Sequence, residues 1–127
     1  MSLRSPLGRV LGLGAAGGAH HWWLQRLSSV ALLPLTAWFA IALLTLPDRH
    51  WATVHAWLAR PSSTVLLLLL VPTAAYHSWL GVTVVVEDYV HGRRAKALTL
   101  LGLRLGYALV AVVALYAVLG IAFGRAP

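Results

Sequence analysis

The chain contains no cysteine and only three acidic side chains among its 127 residues. Without thiols it can form no disulfide, no thiolate zinc site, no cysteine-ligated iron–sulfur cluster and no cysteine nucleophile. Charged residues make up 10% of the chain, where an ordinary soluble domain carries about a quarter. That scarcity, in a chain this apolar, excludes a disordered tail and a typical water-soluble enzyme. Ten Lys and Arg give a formal net charge of +7, but they are scattered between apolar runs. With no single basic stripe, the charge argues against nucleic acid as a partner. Any redox chemistry must therefore use a cofactor that is borrowed or held by histidine.

What the chain has in abundance is apolar sequence, 60% of residues, with a mean hydropathy of +0.80. Three long runs are legible: Leu27 to Leu46, Thr64 to Val86 and Leu98 to Phe123. Each reaches the roughly 20 residues that a helix needs to cross a bilayer core. No polar–apolar alternation marks barrel strands, and a backbone in lipid must satisfy its own hydrogen bonds. The expected fold is all-α and integral to the membrane, with three transmembrane helices. Residues 1–26 read as a Gly-rich cytoplasmic segment with an interfacial anchor, and 27–127 as one transmembrane domain. The Gly-rich start, with Arg4 and Arg9, lacks the compact apolar stretch of a cleavable signal peptide, so the first span is expected to persist.

Turn chemistry separates the spans. Pro47 and Asp48 close the first, and Arg60 and Pro61 open the second, with Trp51 and Trp57 between them at the expected water–lipid boundary. Arg4, Arg9, Arg26, Arg93, Arg94 and Lys96 fall on one side of the membrane, and Arg49, Arg60 and Arg125 on the other. The positive-inside rule then places the N-terminus in the cytoplasm and the C-terminus outside. Pro34 and Pro72 interrupt the first two spans. Either could be ordinary membrane-helix proline, or Pro72 could bend the second span and open room beside His77.

His77 lies near the middle of the second span and is its only imidazole or charged side chain between Arg60 and Glu87. Groups of this type at membrane depth usually face a bundle interior and serve a site. One reading is a neutral imidazole hydrogen-bonded to a neighbouring helix; the other is an axial ligand to a haem iron. Gly81, one turn later, could let a flat macrocycle approach or could simply mark a helix contact. The other spans hold no histidine at depth, so a second axial imidazole would come from another polypeptide. At the end of the second span, Asp88 and Tyr89 pair a carboxylate with a hydroxyl donor at the membrane boundary. A lipid-soluble quinone needs such groups, although a belt tyrosine beside solvated charge is the plainer alternative. Before the first span, "HHWWLQR" places Arg26 at the membrane edge about two turns after His20 and His21. It reads either as an interfacial anchor or as a clamp for carboxylates.

These constellations, "HHWWLQR", then "YHSWLGVTVVVEDYVH", then a plain third span, resemble the small hydrophobic membrane-anchor subunit of succinate dehydrogenase, respiratory complex II. The resemblance covers His20 to Phe123. It implies three helices packed with those of a larger cytochrome b subunit around a shared haem b. His77 would be the haem axial ligand, and Arg26 and His20 would lie in the haem propionate region, with His21 a substitute for His20. Tyr89 and Asp88 would border the ubiquinone site. FAD and iron–sulfur clusters would belong to a flavoprotein and an iron–sulfur partner subunit, leaving this chain non-catalytic on its own. The implied location is the cell inner membrane, where the complex would link the tricarboxylic acid cycle to electron transport. An anchor of a fumarate reductase and a cofactor-free membrane scaffold are the alternative readings.

Overall fold

The computed structural model describes residues 17–124, apart from the side chains of residues 17–19 and 21. Arg4, Arg9, Arg125 and the His21 side chain, all part of the sequence reading, lie outside what it describes. Among the described residues four helices follow one another: α1 Gly17–Leu44, α2 Trp51–Leu58, α3 Pro61–Tyr89 and α4 Arg93–Ala122. Among the described residues there is no strand. Three stretches, Trp22–Leu44, Pro61–Tyr89 and Arg93–Ala122, are long and apolar enough to cross a membrane. The expected three-span, all-α architecture is therefore what the chain adopts.

The helices outrun the apolar runs because nothing stops them sooner. α1 begins at Gly17, well ahead of the expected Leu27, since no proline or glycine interrupts the chain between Gly18 and Pro34. The segment "HHWWLQR" is therefore helical and continuous with the span. α1 ends as Thr45 turns its hydroxyl onto the Ile41 carbonyl at 2.8 Å, just before Pro47. α3 opens on Pro61, whose missing N–H costs nothing at a first helical position, after an extended Arg60. The helices run on through Pro34 and Pro72, and Thr73 Oγ1 donates to the Leu69 carbonyl at 2.7 Å beside the second proline.

The short helix α2 is absent from the sequence reading, which has only a turn there. Its Trp57 explains it. This indole is 6% exposed and stacks on Trp38 of α1 at 5.9 Å between ring centroids, with Phe39 at 6.1 Å. Burying so large a ring against two aromatics organises the connection as a helix. Ahead of it, Asp48 Oδ1 accepts the His50 N–H at 3.0 Å. The Thr53 hydroxyl first, and then that His50 amide, hold the Asp48 carboxyl below the usual carboxylate range.

Among the described residues the three long helices pack lengthwise in two pairs that share α3. α3 packs against both α1 and α4, while among the described residues the α1 and α4 backbones stay more than 8 Å apart between Cα atoms. Both pairs are antiparallel. Among the described residues only Leu80, at 1% exposure, has a fully buried large side chain. Val30, Leu33 and Ile41 on α1, and Leu105, Leu109, Val112 and Val113 on α4, are exposed. So large an apolar surface requires lipid or other helices around it.

Candidate functional site

α3 carries the site, and its two faces differ. On the α1 side, Ser28 Oγ lies 2.8 Å from His77 Nδ1 and 2.9 Å from the Gln25 carbonyl oxygen. Ser28 is 8% exposed, so water competes little for these contacts. One turn along the antiparallel register, Gly81 meets Gln25. A Cβ built on Gly81 would sit 3.7 Å from Gln25 Nε2, an ordinary contact. Gly81 is thus a point where α1 and α3 touch. Gln25 Oε1 is buried without a hydrogen-bond partner. His77 is half-buried, and among the described residues its Nε2 makes no hydrogen bond.

The pairing with Ser28 also fixes the level of His77. Ser28 is six residues into the α1 span that starts at Trp22, about 9 Å of helical rise. His77 therefore lies level with the early turns of α1, in the half of the bundle toward Tyr89. Arg26 sits two residues before Ser28, about 3 Å of rise away. It is exposed, with its guanidinium over the Trp22 ring at 4.5 Å. That ring packs edge-on against Trp23 at 5.1 Å. His20 is exposed on the first turns of α1.

On the α4 side, a groove of about 270 Å³ is lined by Pro72, Tyr76, Trp79, Arg104 and Tyr107, among others. Arg104 reaches over the Trp79 ring at 5.8 Å, and Tyr76 stacks loosely on Trp79 at 5.7 Å. Room beside Pro72 thus opens toward α4, whereas His77 points its Nδ1 at α1.

The C-terminal end of α3 is different again. Glu87, Asp88 and Tyr89 are all exposed, Tyr89 at 78%. Neither the Asp88 nor the Tyr89 side chain has a hydrogen bond or ion pair within the described residues. Asp88 stands eleven residues after His77, about 16 Å along the helix. The turn into α4 is closed by Lys96, whose Nζ donates to the Glu87 carbonyl at 2.9 Å. Arg93 and Arg94 are exposed beside it. Among the described residues no three His, Cys, Asp or Glu side chains cluster as a metal-ion cage would need.

The chain thus brings His77 together with Ser28 and Gln25, and places Asp88 and Tyr89 together at the helix end. It does not join these two groups. Ser28 is the residue sequence reasoning missed. The signal was there: a histidine in an apolar span needs a partner, and Ser28 is among the first hydroxyls after Arg26 in the neighbouring span.

A family model described as "Succinate dehydrogenase/Fumarate reductase transmembrane subunit" matches residues 1–122. The chain is also similar to proteins named "Succinate dehydrogenase hydrophobic membrane anchor subunit". That of Rickettsia conorii is 36% identical over 77 residues, covering 60% of this chain and 61% of the relative. That of Rickettsia bellii is 32% identical over 102 residues, 79% of each chain. That of Paracoccus denitrificans is 30% identical over 121 residues, 94% of this chain and 93% of the relative. No solved structure matches. With nearly its whole length matched and three apolar helices of membrane-spanning length in place, the chain belongs to the transmembrane-subunit family of succinate dehydrogenase and fumarate reductase.

Proposed function

We propose that this chain anchors a succinate:ubiquinone oxidoreductase in the membrane, co-ligates haem b through His77, and forms one edge of the ubiquinone reduction site. The observation that carries this reading is the state of His77: an imidazole tied by Nδ1 to Ser28, with Nε2 unbonded in an apolar bundle. The donor set fits a haem better than a metal ion, because a lone imidazole is one axial ligand and no cage surrounds it. The second axial imidazole would come from the large cytochrome b subunit, against which the exposed apolar faces of α1 and α4 would pack. A bound haem b supplies reversible one-electron storage. Arg26, near the level of His77 and exposed, would pair with haem propionates, and His20 stands on the same end of α1.

At the end of α3, Tyr89 would donate its hydroxyl to a quinone carbonyl oxygen, and Asp88 would orient or pass a proton there. Both side chains stand open, as residues of a pocket completed by other subunits would. The chain has no cysteine to hold an iron–sulfur cluster, and the clusters and FAD would belong to an iron–sulfur subunit and a flavoprotein subunit. The basic residues after Tyr89 favour a cytoplasmic position for this end, where the iron–sulfur subunit would dock on an inner-membrane complex. A reporter fused after Pro127 is then expected outside the cytoplasm.

Purification through a tag on this chain tests the assignment. Flavin, iron–sulfur and low-spin haem signals are expected to accompany it, together with succinate:quinone reductase activity. An assembled complex free of haem would overturn the haem reading. A complex that reduces fumarate efficiently but does not reduce ubiquinone would instead assign the chain to a fumarate reductase.

A further inference from the structure

The Ser28 hydroxyl has one proton and two close partners. The Gln25 carbonyl oxygen, at 2.9 Å, can only accept. The hydroxyl proton satisfies that contact, so Oγ meets His77 Nδ1, at 2.8 Å, as an acceptor. The ring must then donate from Nδ1. A neutral imidazole carries a single N–H, so Nε2 keeps its lone pair.

We infer that Ser28, backed by the Gln25 carbonyl, is a positioning residue that holds His77 as the Nδ1–H tautomer and turns Nε2 toward the haem iron. This rests on the reading of His77 as a haem axial ligand. The anchor comes from α1, 49 residues away in sequence, and it sits at a buried point of the α1–α3 contact. Without it the ring would be free to turn about its broad terminal torsion and to exchange its proton between the two nitrogens. A ligating imidazole that donates its second N–H to a fixed acceptor is also more basic toward the metal. α1 would therefore tune the electronic properties of a ligand that α3 carries, favouring the oxidised form of a bound iron.

The test uses the assembled complex with Ser28→Ala, Ser28→Thr and Ser28→Val, reading haem content, the low-spin electron paramagnetic resonance signal and the haem midpoint potential. Threonine and valine have nearly the same shape and differ in the hydroxyl. Ser28→Ala and Ser28→Val are expected to raise the potential and shift the low-spin g-values, and Ser28→Thr to keep both near the unmodified complex. Loss of haem in Ser28→Val with retention in Ser28→Thr would support the same conclusion. Unshifted spectra and potentials in Ser28→Ala and Ser28→Val would overturn it, as would equal shifts in Ser28→Thr and Ser28→Val. In both cases a haem that still depends on His77 would leave the axial-ligand reading standing. A low-spin spectrum unchanged by His77→Leu would remove both.

Discussion

The middle of α3 and its C-terminal end offer two kinds of incomplete site. In the middle, His77 is already engaged: Ser28 holds one ring nitrogen at 2.8 Å, and α1 covers that face. At the end, Asp88 and Tyr89 are exposed and have no partner within the described residues. The first arrangement is preorganised by this chain; the second gains its shape from whatever packs over it. Substitutions in the middle should therefore disturb the chain's own helix pairing, whereas those at the end should alter chemistry and leave the helices intact.

The largest separation is expected from Tyr89→Phe. Removing one proton donor from a reacting oxygen typically lowers a rate by about 10²-fold, so quinone reduction should fall by roughly that factor. Succinate oxidation by a soluble dye should stay unchanged, because the exposed hydroxyl makes no hydrogen bond within the described residues. Equal losses in both assays would mean that the end of α3 is structural after all.

A smaller effect, of the opposite kind, is expected at Gly81. Its missing Cβ would lie 3.7 Å from Gln25 Nε2, so Gly81→Ala should assemble normally. Gly81→Leu should force α1 and α3 apart, at about 1–3 kcal/mol for overpacking, read as a lower thermal midpoint for haem release. If Gly81→Ala already displaces haem, the macrocycle, and not Gln25, sets the spacing there.

Smaller still is Lys96→Met, which removes the hydrogen bond to the Glu87 carbonyl across the α3–α4 turn. About 0.5–1.5 kcal/mol is typical of one such bond, and its exposure puts the expected loss at the low end of unfolding measurements. The smallest effect concerns Asp48, on the opposite side of the bundle. Its carboxyl is held below the usual range by Thr53 and His50, so its contribution is present above the ordinary carboxylate pKa and disappears as the pH falls through the depressed value. Asp48→Asn should remove that acid-side dependence from the thermal midpoint without touching the haem spectrum.

Much of this was legible in the residues. The three spans follow from run length, and His77 stands out because an imidazole is costly in an apolar helix. The neighbours of each helix were not legible. Spans that are apolar nearly all round carry no stripe to say which face meets which helix. That α3 packs against both α1 and α4 comes from pairing over long sequence separations. For the same reason Ser28 escaped notice, since its partner lies in another span. The helix α2 was hidden because eight residues are too few to form a stable helix from local preference, and Trp57 forms it only by reaching Trp38. The early start of α1 was hidden by polar and aromatic residues that end an apolar run without ending a helix.

The central claim is that the middle of α3 supplies one imidazole to a shared haem. The most direct measurement is the low-spin haem spectrum of the purified complex carrying His77→Leu, with assembly monitored by succinate oxidation through a soluble dye. The account predicts that the low-spin signal is lost, or replaced by a high-spin one, while dye reduction persists. An undiminished low-spin spectrum with His77 gone would contradict it.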